Sequence, residues 1–374
     1  MKCLPQNKIS TAQGIILHDW HAEILAIRSF NCFILEECLA LVSSPEIGSD
    51  FVRLRTPDEM TEHYFQPFAL KDDIELHMYC SEAPCNPPDL KRRHTTDCIL
   101  GGDASMELTM AAQEDATPWE STAVPLGEAE GNQPTLHGRS YFSALGTVRR
   151  KPSRPDAPPT LSKSCSDKLS LAQCKSLLSS VSSLLVSPSS LYLKTLTLPA
   201  SQHSSTACNR AFSASGRMSP VKNKDWNGGY AFKPFEIQTT SHEFKYSRRQ
   251  SLLEGEKLVA SNIAASWISS RTPTQTEVLI GGILQGRKKF DLLGASRASR
   301  RSIWRLALEI SALVAVPQIY QALNANTYQE VVRSDYLEPR MQAKNETRKK
   351  ALKNWVVNKG DEEWGRVDAK IEWP

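Results

Sequence analysis

Three short stretches carry residues that could do chemistry together: His21-Ala22-Glu23, Pro84-Cys85 and Ser164-Cys165-Ser166-Asp167-Lys168. An imidazole can ligate a metal, and a carboxylate two residues on can carry protons for whatever the metal activates. A bound Zn²⁺ lowers the pKa of its water to roughly 7, and one imidazole with two thiolates leaves the fourth position open for that water. A cysteine at a helix start is favoured as the thiolate by the free N–H groups and the dipole there, and Lys168 adds positive charge. Each stretch alone has a plainer reading. A His-x-Glu on a helix most often packs or faces water, and a cysteine after a proline at a strand end is most often structural. Three such elements in order, each in a suitable local context, are a different matter.

The elements that must position them can be read from periodicity. From Asp19 to about Leu41 the apolar residues Ile24, Ile27, Phe30, Ile34 and Cys38 recur at helical spacing, with Asp19 as the N-cap. Residues 72–80 read as a strand running into Pro84-Cys85. A helix is expected from about Asp167 to Val186, a strand over 190–198 and a short helix from Cys208 to Gly216. GYAFKPFEIQTT, KLVASNIAASWI and TEVLIGGIL read as three further strands, and helices over 297–314 and 338–358 close the chain. Strands and helices interleave, which gives a layered α/β domain.

The bulk numbers narrow the class. A chain of 374 residues with 40% apolar and 23% charged residues can bury a large core. A net charge of +4 does not by itself argue for nucleic acid, but enzymes acting on RNA bind through local patches. Such patches occur at Gln285-Gly286-Arg287-Lys288-Lys289-Phe290 and over 296–301, where phosphate contact and a solvated surface are equally apt readings. Nine cysteines, an odd number, without an apolar leader point to a reducing, intracellular compartment, nucleus or cytoplasm. The most apolar stretch, 24–42, carries Arg28, Glu36 and Glu37, so no membrane span is expected.

The residues also resemble a known family. KCLP (2–5), GIILHDWHAEILAIRSFN (14–31), MYCSEAPC (78–85), GDASMEL (102–108), RRKPSRPDAPPTLSKSCSDK (149–168), GGYAFKPFEI (228–237) and LIGGILQGRKKFDLLGASRASRR (279–301) are similar to the adenosine-to-inosine RNA-editing deaminases. The likeness covers nearly the whole chain. SCSDK after a Pro-rich segment sets this family apart from deaminases whose cysteines sit together as PCxxC. The motif HDWHAEILAIRSFN and the lack of double-stranded-RNA modules favour the eukaryotic, fungal-type tRNA branch.

The resemblance implies a cytidine-deaminase-like core sheet flanked by helices, enlarged as in RNA adenosine deaminases, with residues 1–374 as a single deaminase domain. It implies that His21, Cys85 and Cys165 bind Zn²⁺ and that Glu23 is the general acid and base. The reaction would convert adenosine to inosine, with the base flipped into the site. In the tRNA branch the substrate is the adenosine 3′ of the anticodon of alanine tRNA, and no obligate protein partner is inferred. The alternatives are an adenosine deaminase of another RNA, or an inactive homologue that binds RNA or inositol phosphate. Arg287, Lys288 and Lys289 would touch RNA. The family also implies a buried inositol hexakisphosphate, met here by Lys2, Arg28, Lys151, Lys168, Arg300, Tyr336, Arg340, Lys350 and Trp364.

The chain departs from the family in three places. The family's Arg-Trp pair after SCSDK is replaced by Leu171 and Ala172. Residues 86–101 separate PC from GDAS, which are contiguous in the family, and read as an insertion or a retained intron. The start at KCLP reads as an N-terminal truncation. Residues 107–138 read as a flexible loop.

Overall fold

The computed structural model describes residues 2–83, 145–151, 158–246, 261–270, 275–314 and 316–365. Cys85, the expected insertion 86–101 and the expected loop 107–138 lie outside them.

The central element is helix α1, Ala22–Ser43. Ile24, Leu25, Ser29, Asn31, Cys32, Ile34, Leu35, Glu36, Glu37 and Cys38 are all buried, so the helix is enclosed on most sides rather than laid on a surface. Its N-cap is His21, not Asp19. The expectation of Asp19 as cap fails because the backbone is still extended at His21, and the Asp19 carboxylate instead accepts the His21 backbone N–H at 3.0 Å.

Against α1 lies a parallel sheet of β3 (Leu76–Tyr79), β4 (Leu193–Pro199) and β7 (Glu236–Thr240), with β4 in the middle. A short antiparallel pair, β1 (Val52–Leu54) and β2 (Phe68–Leu70), precedes it. Parallel neighbours need crossovers. Helix α2 (Cys165–Lys175) and the single turn α3 (Ser182–Leu185) lie between β3 and β4. Helix α4 (Ser205–Phe212) and the small hairpin of β5 (Asp225–Trp226) and β6 (Tyr230–Ala231) lie between β4 and β7. The single helix expected over 167–186 is broken at Ser176, which takes a left-handed φ of 63° that a helix cannot contain.

A second, antiparallel sheet holds β8 (Ile263–Ile268), β9 (Gln275–Ile280) and β10 (Ile283–Leu284), with β9 central. The expected strand TEVLIGGIL is thus a hairpin, turned at Gly281 and Gly282 with φ of 64° and 87°. Four helices follow from Arg300 on: α5 (Arg300–Leu313), α6 (Pro317–Leu323), α7 (Tyr328–Val332) and α8 (Glu338–Lys350). The last helix ends earlier than its expected 358, where Lys353 turns back to donate to Gly146 O at 2.8 Å.

The largest apolar cluster joins α1, α3 and the C-terminal helices through fully buried Leu35, Leu184, Leu185, Ala307, Ile310 and Ile319. Each such large aliphatic side chain contributes about 1.5–3 kcal/mol. The first turn of α1, where the candidate chemistry begins, is held by a second cluster in which Leu25 packs with Ile15, Leu17 and Trp20. The N-terminal strap is tied to the other end of the chain. Asp361 accepts from the Gly14 N–H at 2.9 Å and from His18 Nε2 at 2.8 Å, and Arg300 donates to the Asp361 carbonyl at 2.9 Å.

Candidate metal centre and basic cluster

His21 is buried at the mouth of α1. Its Nδ1 donates to Asp19 Oδ1 at 2.6 Å, which fixes the tautomer and leaves Nε2 as the lone-pair nitrogen. That Nε2 is buried and has no hydrogen-bond partner. Burial, with Lys151 adding to it, lowers the His21 pKa, so the ring is held neutral, the form that binds metal. A carboxylate on one imidazole nitrogen and an open second nitrogen is the usual arrangement around a ligating histidine.

Asp19 is itself saturated. Its Oδ2 accepts from Ser162 Oγ at 2.8 Å and from Lys168 Nζ, and Ser162 Oγ also takes a Lys168 hydrogen bond at 2.8 Å. Burial alone would raise its pKa, but Lys168, His21 and Lys151 hold it well below the usual carboxylate range. Lys168 comes from α2, three residues after Cys165. Cys165 opens that helix behind the cap Ser164, whose side chain accepts from Asp167 N. The Cys165 sulfur lies 3.8 Å from Lys151 Nζ. Asp167 is fixed by Arg217 at 2.5 Å, with both side chains fully buried.

Cys3, Asp19 and His21 also bring one ligand atom each within 4.8 Å of one another. The chemistry of these donors does not favour a metal among them. Cys3 Sγ faces His21 Nδ1 at 3.6 Å, the nitrogen already committed to Asp19. Burial pushes the Cys3 thiol up to about 12, so it stays protonated. The open position is at Nε2.

Glu23 sits half-buried in the first turn of α1, where its charge is felt by Cys80 at the end of β3. The end of β3 is therefore within electrostatic reach of the Glu23 carboxylate. Cys85 lies outside the described residues.

The residues expected to meet a polyanion divide. Arg28, Arg300 and Arg340 stand in one basic cluster. Burial and then Arg300 lower the Arg28 pKa to about 10, and Arg28 Nε is buried without a partner. Arg340 donates to Lys175 O and Leu178 O at 2.6 Å each. Lys168 and Lys151 connect this side to Asp19 and Cys165. Trp364 is buried, stacked on Tyr328 at 4.8 Å. Tyr336 packs instead on Phe65 in the apolar layer, and half-buried Lys2 gives its carbonyl to the Trp20 N–H.

Lys350 is not in the cluster: it is exposed and paired with Glu346. The helix repeat explains why. Arg340, Lys344 and Arg348 are spaced four apart and share one face of α8, whereas Lys350 is turned roughly 200° from Arg348. Lys344, Arg348 and Lys175 complete the cluster without having been picked out from the sequence. Lys344 is lowered to about 7 by burial and then by Arg348, Arg340 and Arg300. Arg348 falls to about 10, and Lys175 well below its ordinary range, for the same two causes. Among the described residues the acids that act on these cations are Asp19, Asp361 and Glu362, and Asp361 is already engaged by His18, Gly14 and Arg300.

Leu171 and Ala172 are buried in apolar clusters. Arg287, Lys288 and Lys289 are all exposed after β10. No helix among the described residues is long and apolar enough to cross a membrane.

The family model described as the adenosine-deaminase (editase) domain matches residues 1–359. The tRNA-specific adenosine deaminase 1 of Schizosaccharomyces pombe is 33% identical over 365 residues, covering 97% of this chain and 82% of that protein. The protein of the same name from Saccharomyces cerevisiae is 34% identical over 180 residues, 48% of this chain and 39% of its own length.

Proposed function

Since the chain belongs to the adenosine-deaminase (editase) domain family, we propose that it deaminates adenosine to inosine in tRNA, at the adenosine 3′ of the anticodon of alanine tRNA. The names of its two fungal relatives support the tRNA substrate. The observation that carries the chemistry is the buried, partnerless His21 Nε2 with Asp19 on the opposite nitrogen. Residues 1–374 act as one deaminase domain in this reading.

The donor set fits zinc: a neutral imidazole from His21 and two cysteine sulfurs, Cys85 and Cys165, the latter at a helix N-terminus beside Lys151. Bound there, the metal would supply a water of lowered pKa as nucleophile. Asp19 holds the imidazole in place, and Ser162 and Lys168 hold Asp19. Glu23 takes a proton from the attacking water and passes it to ring N1, then takes the proton of the new C6 hydroxyl and passes it to the leaving C6 amine, so adenosine and water give inosine and ammonia. The target base enters flipped, which costs less from a loop than from a duplex.

The basic cluster supports a resident polyanion, inositol hexakisphosphate, held by Arg28, Arg300, Arg340, Lys344 and Arg348. Like charges gathered out of water are tolerable only with a counter-anion. Arg287, Lys288 and Lys289 serve the RNA phosphates.

The deciding experiment measures inosine in alanine tRNA incubated with purified protein and counts zinc in the same sample. Inosine beside the anticodon with one zinc per chain is the expected result. Zinc with inosine at another site or in another RNA would overturn the tRNA assignment, and activity in zinc-free protein would overturn the metal.

A further inference from the structure

Phe290 is a large apolar side chain left mostly in water. It is 57% exposed. Its φ is 73°, the left-handed region that disfavours a side chain. The cause is a turn: the Asp291 N–H donates to Lys288 O at 3.2 Å, so Phe290 occupies the third of four turn positions. A turn with positive φ at that position ordinarily uses glycine. Strain kept at an exposed aromatic points to a use outside the fold.

Its neighbours say what that use is. Arg287, Lys288 and Lys289, all exposed, directly precede it. Cations that take phosphates beside an exposed ring are the two parts of a single-strand nucleic-acid surface, where the backbone meets charge and a base stacks on the ring.

The turn is also firmly mounted. Arg287 N–H donates to Leu284 O at 3.2 Å, and Asp291 caps the next turn through Leu293 N at 3.0 Å. Gly294 lets the turn pack close: a Cβ there would lie 3.2 Å from the Arg287 Cβ and 3.3 Å from Lys288 O. At the other end of β10, Gly282 O accepts the Leu17 N–H at 2.9 Å, and a Cβ on Gly282 would come within 3.0 Å of the Trp20 ring. Trp20 adjoins His21. The platform and the candidate centre therefore hang on one stretch of backbone.

We infer that Phe290 is a base-stacking platform for an unpaired nucleotide of the RNA substrate, with Arg287, Lys288 and Lys289 holding the adjoining phosphates. This rests on the reading that the substrate is a tRNA. The test compares wild-type protein with Phe290→Gly and Phe290→Tyr, reading alanine-tRNA affinity across a salt series, inosine formation and thermal midpoint. Phe290→Gly relieves the backbone, so its midpoint stays or rises while tRNA affinity falls about tenfold, as expected for one lost stack. Its salt slope is unchanged, because no phosphate contact is lost. Phe290→Tyr keeps wild-type affinity. Unchanged affinity in Phe290→Gly, with wild-type protein active on the tRNA, overturns the platform and leaves the proposed function standing. A fall in midpoint for Phe290→Gly also overturns it, since the ring would then be packing. Wild-type protein that neither binds nor deaminates tRNA overturns both.

Discussion

Two groups of charged side chains lie inside this protein, and they are incomplete in different ways. Around Asp19 the signs are mixed and the hydrogen bonds close: His21, Ser162 and Lys168 share one carboxylate. What remains open is a single atom, His21 Nε2. Around Lys344 the signs are nearly all alike, and burial together with mutual repulsion lowers Lys344, Arg348, Lys175 and Arg28. What is open there is charge. A missing atom calls for a ligand that does chemistry, whereas missing charge calls for one that completes the fold.

The sharpest way to test that contrast is Glu23→Gln. Turnover should fall by about 10²–10⁴-fold, the usual worth of a general acid and base. Zinc content and thermal midpoint should match wild type, because Glu23 neither ligates nor packs a core. Loss of zinc in this variant would place Glu23 among the ligands.

Asp19→Asn should act on the metal rather than the fold, weakening zinc affinity about 10–100-fold through the misaligned imidazole. A chelator titration measures it. Unaltered affinity would remove Asp19 as the orienting residue.

The basic cluster should answer to pH. In polyanion-free protein Lys344 lies at about 7 against an ordinary 10.5. Arg348, Arg340, Arg300 and Glu362 act on it, the arginines outweighing the acid. The unfolded chain then binds more protons between those values. The penalty of burying Lys344 is full below about pH 7 and fades as pH climbs toward 10.5, so stripped protein gains stability on that climb. A bound polyanion keeps Lys344 charged, so binding takes up protons and inositol hexakisphosphate affinity falls from pH 6 to about pH 9. Calorimetry in two buffers of different ionisation enthalpy reads this directly. Affinity that is flat with pH would take Lys344 out of the site.

The smallest effect belongs to Lys350→Ala. With its charge paired to Glu346 at the surface, it should leave polyanion affinity unchanged and stability within about 0.5 kcal/mol. A drop in polyanion affinity would mean the face of α8 has been assigned wrongly.

How much of this was legible in the sequence depended on the range of the interaction. Local devices were readable: His21-Ala22-Glu23 at a helix start, Cys165 at the start of another, and the strand over 190–198. Asp19 was misread as a cap because its decisive partners, Ser162 and Lys168, stand 143 and 149 residues away. The break at Ser176 left no glycine to announce it. The helices Pro317–Leu323 and Tyr328–Val332 are too short to set up a period. Lys344 and Arg348 look like any exposed helix cations, and only the elements packed over them make them otherwise. Lys350, two residues beyond Arg348, faces away from them and pairs with Glu346, a difference of helix phase that residue type alone does not show.

The tie from Asp361 to Gly14 and His18 has a bearing on how the protein is made. His18 and Asp361 are 343 residues apart, and the strap they join runs straight into His21. On the ribosome His21, the histidine proposed to hold zinc, emerges early, yet the clasp that seats its strap cannot close until Asp361 has been synthesised. Assembly of the centre is in this sense a checkpoint on translation: only a polypeptide extended past Asp361 can fasten it, and nascent chains stopped earlier carry an unclasped histidine.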